Sequence, residues 1–294
     1  MKPVPRAVTA LVLLMTLVWG ANYAVAKAAL RHFPPLLIGP LRAALAAALL
    51  APVYWWLRGR RPRREPWEAR ELGMLALLGV FGITLNQVFF ILGMARTSVA
   101  HAALIIATTP LQVMLLAAAR GQEALMARKA AGMGMAVAGV GVLHAGEAGA
   151  RGASLGGDLL VLLAAFCFAL YTVFGKELTR RHDSLTVNTL GYAAGALAGA
   201  PLLVQQSIGF DYRAVGAGGW LALAYMTLLA SILCYLIFYY ALDHMPASRV
   251  AAFSYLQPVI AAATGFVFLH EPVTLPVAAG GALVLAGVWV TGRG

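Results

Sequence analysis

Neutral polar groups and aromatic rings recur inside otherwise apolar stretches of this sequence. Thr84, Asn86 and Gln87 stand beside Phe90, and Thr108, Thr109 and Gln112 follow in the next stretch. Trp19 and Asn22 lie near the start, while Tyr171, Asn188, Tyr192, Tyr225, Ser231, Tyr235, Tyr239, Ser254, Tyr255 and Gln257 populate the later part. Amides and hydroxyls hydrogen-bond amines and carboxylates alike, and aromatic faces attract ammonium groups and cover apolar side chains. These residues suit an uncharged, polar and aromatic cavity for a small molecule. They equally suit hydrogen bonds between helices, worth about 0.6–2 kcal/mol each.

Two ionisable groups stand among them. A guanidinium at the centre of a membrane helix costs roughly 2.5–3.5 kcal/mol on insertion scales. Arg42 therefore reads either as a contact for a substrate carboxylate or as a side chain that snorkels or pairs structurally. His101 titrates near physiological pH in principle, so it reads as a proton sensor or as a packing and capping residue.

Other chemistry lacks its residues. No G-x-x-x-x-G-K-[ST] loop is present for nucleotide phosphates. None of the 11 carboxylates stands at the middle of an apolar run, so no buried carboxylate proton relay is evident. The six histidines are scattered without ligand spacing, and Cys167 and Cys234 each sit in an apolar run as small packing residues. The chain is expected not to be an enzyme and to need no cofactor or metal.

Placing polar groups inside apolar runs is a task for membrane helices, and the composition agrees. The 294 residues are 61% hydrophobic and only 11% charged, with a net charge of +11 and a mean hydropathy of +0.81. Soluble domains carry about 25% charged residues, so a soluble enzyme is excluded, and no basic face is available for nucleic acid. A bilayer core needs about 20 apolar residues per helix. Ten such runs are read at 6–26, 35–57, 72–94, 98–119, 127–144, 155–178, 185–205, 215–242, 246–269 and 273–291. The first is too long for a signal-peptide core and has no clear small-residue cleavage site, so a retained helix is expected.

Basic residues accumulate on the cytoplasmic side of membrane proteins. With the N-terminus inside, 16 Lys and Arg residues fall on inner segments, among them Arg58, Arg60, Arg61, Arg63 and Arg64. Only Lys27, Arg31, Arg96, Arg151 and Arg213 fall outside. The expected topology is N-in and C-in, and the excess charge is an orientation signal with some attraction to anionic lipid.

The two halves repeat. At an offset of 148 residues Pro110 falls on Pro258, Glu123 on Glu271, Gly132 on Gly280 and Gly139 on Gly287. At 149, Gly20 falls on Ala169 and Lys27 on Lys176. Five spans per half is an odd number, so residues 1–148 and 149–294 are expected to be inverted repeats, an architecture of alternating-access carriers. Pro110 and Pro258 lie within runs, where each removes a helix hydrogen bond. They read as paired hinges or as static kinks satisfied by Thr108 or Thr109. Lys27, Lys176, Glu123 and Glu271 swap sides under the repeat, which suits gates on each face or plain interfacial anchoring. Gly191, Gly195 and Gly199 form a close-packing ridge that serves within the chain or in a homodimer.

The stretch from Met94-Ala95-Arg96-Thr97-Ser98 through Thr109-Pro110 to Gln122-Glu123, before a glycine-rich helix, resembles the signature of EamA-type members of the drug/metabolite transporter superfamily. So does Leu242-Asp243-His244-Met245-Pro246-Ala247 through Gln257-Pro258 to His270-Glu271-Pro272, and so does the opening Trp19-Gly20-Ala21-Asn22-Tyr23 with Lys27. The resemblance implies an all-α, ten-helix secondary transporter with a central cavity, most similar to YddG-type amino-acid exporters. The cargo expected is a neutral or aromatic amino acid, exported or exchanged across the cell inner membrane. Cationic drugs and nucleotide sugars stand as alternative cargoes, and a channel or membrane scaffold as the alternative class.

Overall fold

A computed structural model gives the architecture. It describes residues 6–58, 66–120, 127–128, 131–132, 134–135, 138–139, 142, 154–179, 181–244, 250, 253–270 and 274–292. The described residues are helical throughout, joined by short turns. The helices are α1 (Arg6–Ala29), α2 (Pro35–Arg58), α3 (Ala69–Leu78), α4 (Asn86–Met94), α5 (Val99–Ile106) and α6 (Thr109–Ala119) in the first part. In the second part they are α7 (Leu155–Thr179), α8 (Ser184–Ser207), α9 (Ala217–Ala224), α10 (Cys234–His244), α11 (Gln257–Leu269) and α12 (Leu275–Gly292). Gly79–Leu85 and Tyr225–Leu233 are π-helical, so α3 runs into α4 and α9 into α10 as single rods. Among the described residues seven rods are long and apolar enough to cross a membrane. The run expected at 127–144 falls largely outside the described residues.

Helix ends follow local chemistry. The Ser98 hydroxyl accepts from the His101 N–H at 3.2 Å to start α5, and Asp183 accepts from the Thr186 N–H at 3.1 Å to start α8. The Glu71 carboxylate accepts from the Glu68 N–H at 3.1 Å ahead of α3. His270 closes α11 in the left-handed conformation, φ 55°.

The proline-bearing runs correct one expectation. Pro110 and Pro258 do not interrupt continuous helices; each occupies the first turn of a new one, α6 and α11. A missing N–H is harmless there. Residues 107 and 108 form a turn between α5 and α6. Ile106, four residues before Pro110, loses its helical donor, and the Thr109 hydroxyl supplies one at 2.6 Å. The Thr108 hydroxyl donates to the Ile105 carbonyl at 2.6 Å, which also accepts from the Thr108 N–H at 3.0 Å.

Outward faces carry Leu197, Leu275 and Trp55 at 76%, 82% and 67% exposure, an apolar shell that water would not tolerate and lipid would. Inside, two buried clusters occupy opposite ends of the bundle. One gathers Val8, Val12 and Met15 of α1 with Tyr171, Tyr192, Phe238 and Tyr239. The other gathers Tyr23, Ala26 and Ala29 of α1 with Ile38, Ile91, Met94 and Val99.

The glycine ridge of α8 packs within the chain. A Cβ on Gly195 would stand 2.7 Å from the Ile83 side chain, and one on Gly79 would stand 2.6 Å from that of Ala194. The Thr84 hydroxyl donates to the Gly195 carbonyl at 2.6 Å across the same seam. Absent side chains let α8 lie against the π-helical segment that leads directly into Asn86 and Gln87.

Candidate functional site

A pocket lies where the two buried clusters meet. Its wall takes Met15, Trp19, Asn22 and Tyr23 from α1, Arg42 from α2, and Asn86, Gln87 and Phe90 from α4. Ile106, Thr109 and Val113 come from the broken α5–α6 rod, Phe168 and Thr172 from α7, and Tyr235 and Phe238 from α10. Val250 and Gln257 complete it. It encloses about 870 Å³ of atom-free space, including the part that opens outward.

The aromatic wall is interlocked. Trp19 meets Phe168 edge-on at 5.6 Å and Tyr235 at 5.8 Å, and its indole N–H donates to the Ala230 carbonyl at 2.9 Å. Tyr23 and Phe90 meet at 5.5 Å. Such pairs contribute about 0.5–1.5 kcal/mol each beyond burial, and they hold the rings still.

Several polar groups are already committed. Tyr23 donates to Gln257 Oε1 at 3.1 Å, and Asn86 Nδ2 donates to the Ala164 carbonyl at 2.8 Å. Others are not. Gln87 is 2% exposed and neither Oε1 nor Nε2 has a hydrogen-bond partner among the described residues; Asn22 Oδ1 is in the same position. Buried amides without partners are costly, so a pocket lined with them fits a polar guest. Arg42 is 4% exposed. Its Nε donates to Ser231 Oγ at 2.6 Å, and no carboxylate among the described residues pairs with it. Ser231 belongs to the second π-helical segment, a kind of irregularity common at functional sites.

Nine candidates from the sequence line this pocket: Trp19, Asn22, Arg42, Asn86, Gln87, Phe90, Thr109, Tyr235 and Gln257. Thr108 and Gln112 do not, whereas Val113, beside Gln112, does. Tyr171, Tyr192 and Tyr239 are fully buried behind the wall, packed on Tyr235 or one another at 5.3–5.6 Å. The side chains of Ser254 and Tyr255 lie outside the described residues, as do Glu123 and Glu271. Lys27 and Lys176 are half-buried near the ends of α1 and α7. Met15, Tyr23, Ile106, Thr172, Phe238 and Val250 were not anticipated; their types are those of ordinary packing residues.

Polar clusters clamp the rods beyond the pocket. Asp158 accepts from the Thr97 hydroxyl at 2.5 Å and lies 3.3 Å from His101 Nδ1, tying α5 to the start of α7. Near the opposite end Glu71 lies 3.0 Å from Arg181 and 3.1 Å from His182, whose ring stacks on Trp67 at 3.6 Å. Arg120 and Glu177 pair at 2.7 Å. Replacing Asp158 by Ala removes the acceptor of Thr97 and the partner of His101. The expected cost is about 1–3 kcal/mol, read as a lower unfolding temperature of the purified protein.

Comparison with known proteins places this geometry. The model of the "EamA-like transporter family" matches residues 7–144 and again 155–293. A protein of Salmonella typhimurium named "Probable amino-acid metabolite efflux pump" is 29% identical over 95% of this chain and 93% of its own length. A Streptantibioticus cattleyicolor protein named "Probable terminal-alkyne amino-acid exporter" is 31% identical over 98% and 94%. A solved crystal structure superposes with a TM-score of 0.69 at 20% identity, covering 97% of both chains, and shares the fold. Apolar rods around a buried polar pocket, matched along both halves, make this chain a multi-pass membrane protein that belongs to the EamA-like transporter family.

Proposed function

We propose that this transporter exports amino acids and related metabolites across the cell inner membrane by alternating access, without enzymatic activity. The observation that carries the cargo is Arg42, a buried cation in the pocket wall with no carboxylate partner among the described residues. Its natural complement is a guest carboxylate. Two relatives carry amino-acid cargoes in their names, which supports the same reading.

Ten spans in two inverted halves, 1–148 and 149–294, with both termini cytoplasmic, are the architecture proposed. Two separate family matches support it, as does the spacing of the structural irregularities. The π-helical segments end at Leu85 and Leu233, and the half-helices α6 and α11 begin at Thr109 and Gln257, each pair 148 residues apart. Broken helices at mid-membrane are tolerated where they line a cavity, and they give a carrier places to bend. Lys27, Lys176, Glu123 and Glu271 are the proposed gate charges, and lipid surrounds the apolar faces.

Cationic drugs fit the pocket less well. Two like charges about 6 Å apart repel by roughly 3 kcal/mol at an effective dielectric constant of about 20. A nucleotide sugar would bring two phosphates to a single arginine. The test is uptake into proteoliposomes from a panel of labelled amino acids, quaternary amines and nucleotide sugars, with and without a pH gradient. Amino-acid uptake is expected; uptake confined to the amines or the nucleotide sugars would overturn the proposal.

A further inference from the structure

We infer that the pocket selects its cargo by a carboxylate and does not require an ammonium group, so its guests are small monocarboxylates bearing an apolar or aromatic group. Amino acids are then one subset, and 2-hydroxy acids another. The inference rests on the transporter reading above and narrows what that transporter recognises.

The asymmetry of the wall carries it. For a carboxylate there is Arg42, whose only hydrogen bond among the described residues uses Nε toward the neutral Ser231 hydroxyl at 2.6 Å. That contact leaves the charge uncompensated. Gln87 adds an amide donor, Nε2, without a partner among the described residues. For an ammonium there is no comparable counterpart, because no Asp or Glu is among the described residues lining the pocket. The Gln257 amide oxygen already accepts from Tyr23 at 3.1 Å. Asn22 Oδ1 and Gln87 Oε1 remain as acceptors, and both are neutral. A neutral acceptor is satisfied by a hydroxyl as well as by an ammonium. An α-hydroxyl donates one hydrogen bond where an ammonium donates up to three, so the exchange keeps the bond to one of these two oxygens and forfeits at most one bond to a neutral acceptor. Removing the carboxylate instead leaves Arg42 unpaired and brings a second cation beside it. Trp19 and Phe90 cover the side group in either case.

Matched competitors test this. The full chain in proteoliposomes is loaded with phenylalanine, and entry of labelled phenylalanine is challenged with phenyllactate or phenethylamine. Stabilisation of the purified protein against heat by each compound is measured in parallel. Phenyllactate is expected to act within about tenfold of phenylalanine, and phenethylamine to be at least about 100-fold weaker. In Arg42→Gln the difference between acid and amine is expected to collapse. Phenethylamine matching phenyllactate, phenyllactate without effect in both assays, or a preference for the acid that survives in Arg42→Gln would each overturn the inference. If phenyllactate stabilises the protein while phenylalanine neither enters nor stabilises, amino-acid transport fails and carboxylate selection stands.

Discussion

Arg42→Gln is expected to lower amino-acid transport by about 10–100-fold while leaving the amount of folded protein unchanged or higher. Hydrogen bonds to a charged group contribute about 1.5–3 kcal/mol, and each 1.4 kcal/mol is a factor of ten. The substitution removes the whole charge but keeps a planar amide of similar reach beside Ser231. Folding loses little, because a buried cation without a carboxylate partner is a burden to the empty protein. Arg42→Lys separates charge from shape. It keeps the cation and loses the fork that binds a carboxylate through two nitrogens, so partial recovery is expected. Initial rates of uptake across a concentration series check both variants, with size-exclusion profiles reporting the folded amount. Wild-type transport in Arg42→Gln would place the arginine in a structural role alone.

Gly82→Ala is expected to destabilise by at least about 3 kcal/mol and to remove most of the folded protein. Gly82 lies in the first π-helical segment, and a Cβ there would stand 1.9 Å from the Tyr171 ring. Tyr171 cannot step aside. It is fully buried, with Tyr235 at 5.6 Å and Tyr239 at 5.3 Å. Overpacking usually costs about 1–3 kcal/mol, more where neighbours are locked. The control is Gly73→Ala in α3, where an added Cβ meets nothing within 4 Å. That change is expected to raise stability by about 0.5–1 kcal/mol through helix propensity. Thermal unfolding of the two variants in detergent gives the comparison.

The rods were legible because hydrocarbon thickness fixes their length. The run read at 35–57 and the rod at Pro35–Leu57 agree, as do 155–178 and Leu155–Thr179. Rotation of each rod about its own axis was not legible. A helix apolar on every side gives no periodic mark of its inner face, so the sequence could not tell Tyr235 in the wall from Tyr171 and Tyr192 behind it. The turn at residues 107–108 also resets the helical phase, so that of Thr108, Thr109 and Gln112 only Thr109 lines the pocket, with Val113 one turn on. Asp158 and His101 were each visible as polar residues near run ends. Their contact joins residues 57 positions apart on different rods, and no local spacing announces it. Asn22, Asn86 and Gln87 were found because amides are rare in such runs, and rarity survives ignorance of rotation.

The central claim is one pocket reached in turn from the two faces of the membrane. Val113→Cys, a near-isosteric change in the pocket wall, with Cys167 and Cys234 replaced by Ala, puts a single thiol there. A membrane-impermeant thiol reagent is applied from one side and then the other of oriented vesicles, with and without phenylalanine. Labelling from both faces, slowed by the amino acid in each case, is the expected result. Labelling from one face only, or from both with no protection and with ion conduction through the protein, would contradict alternating access to a single site.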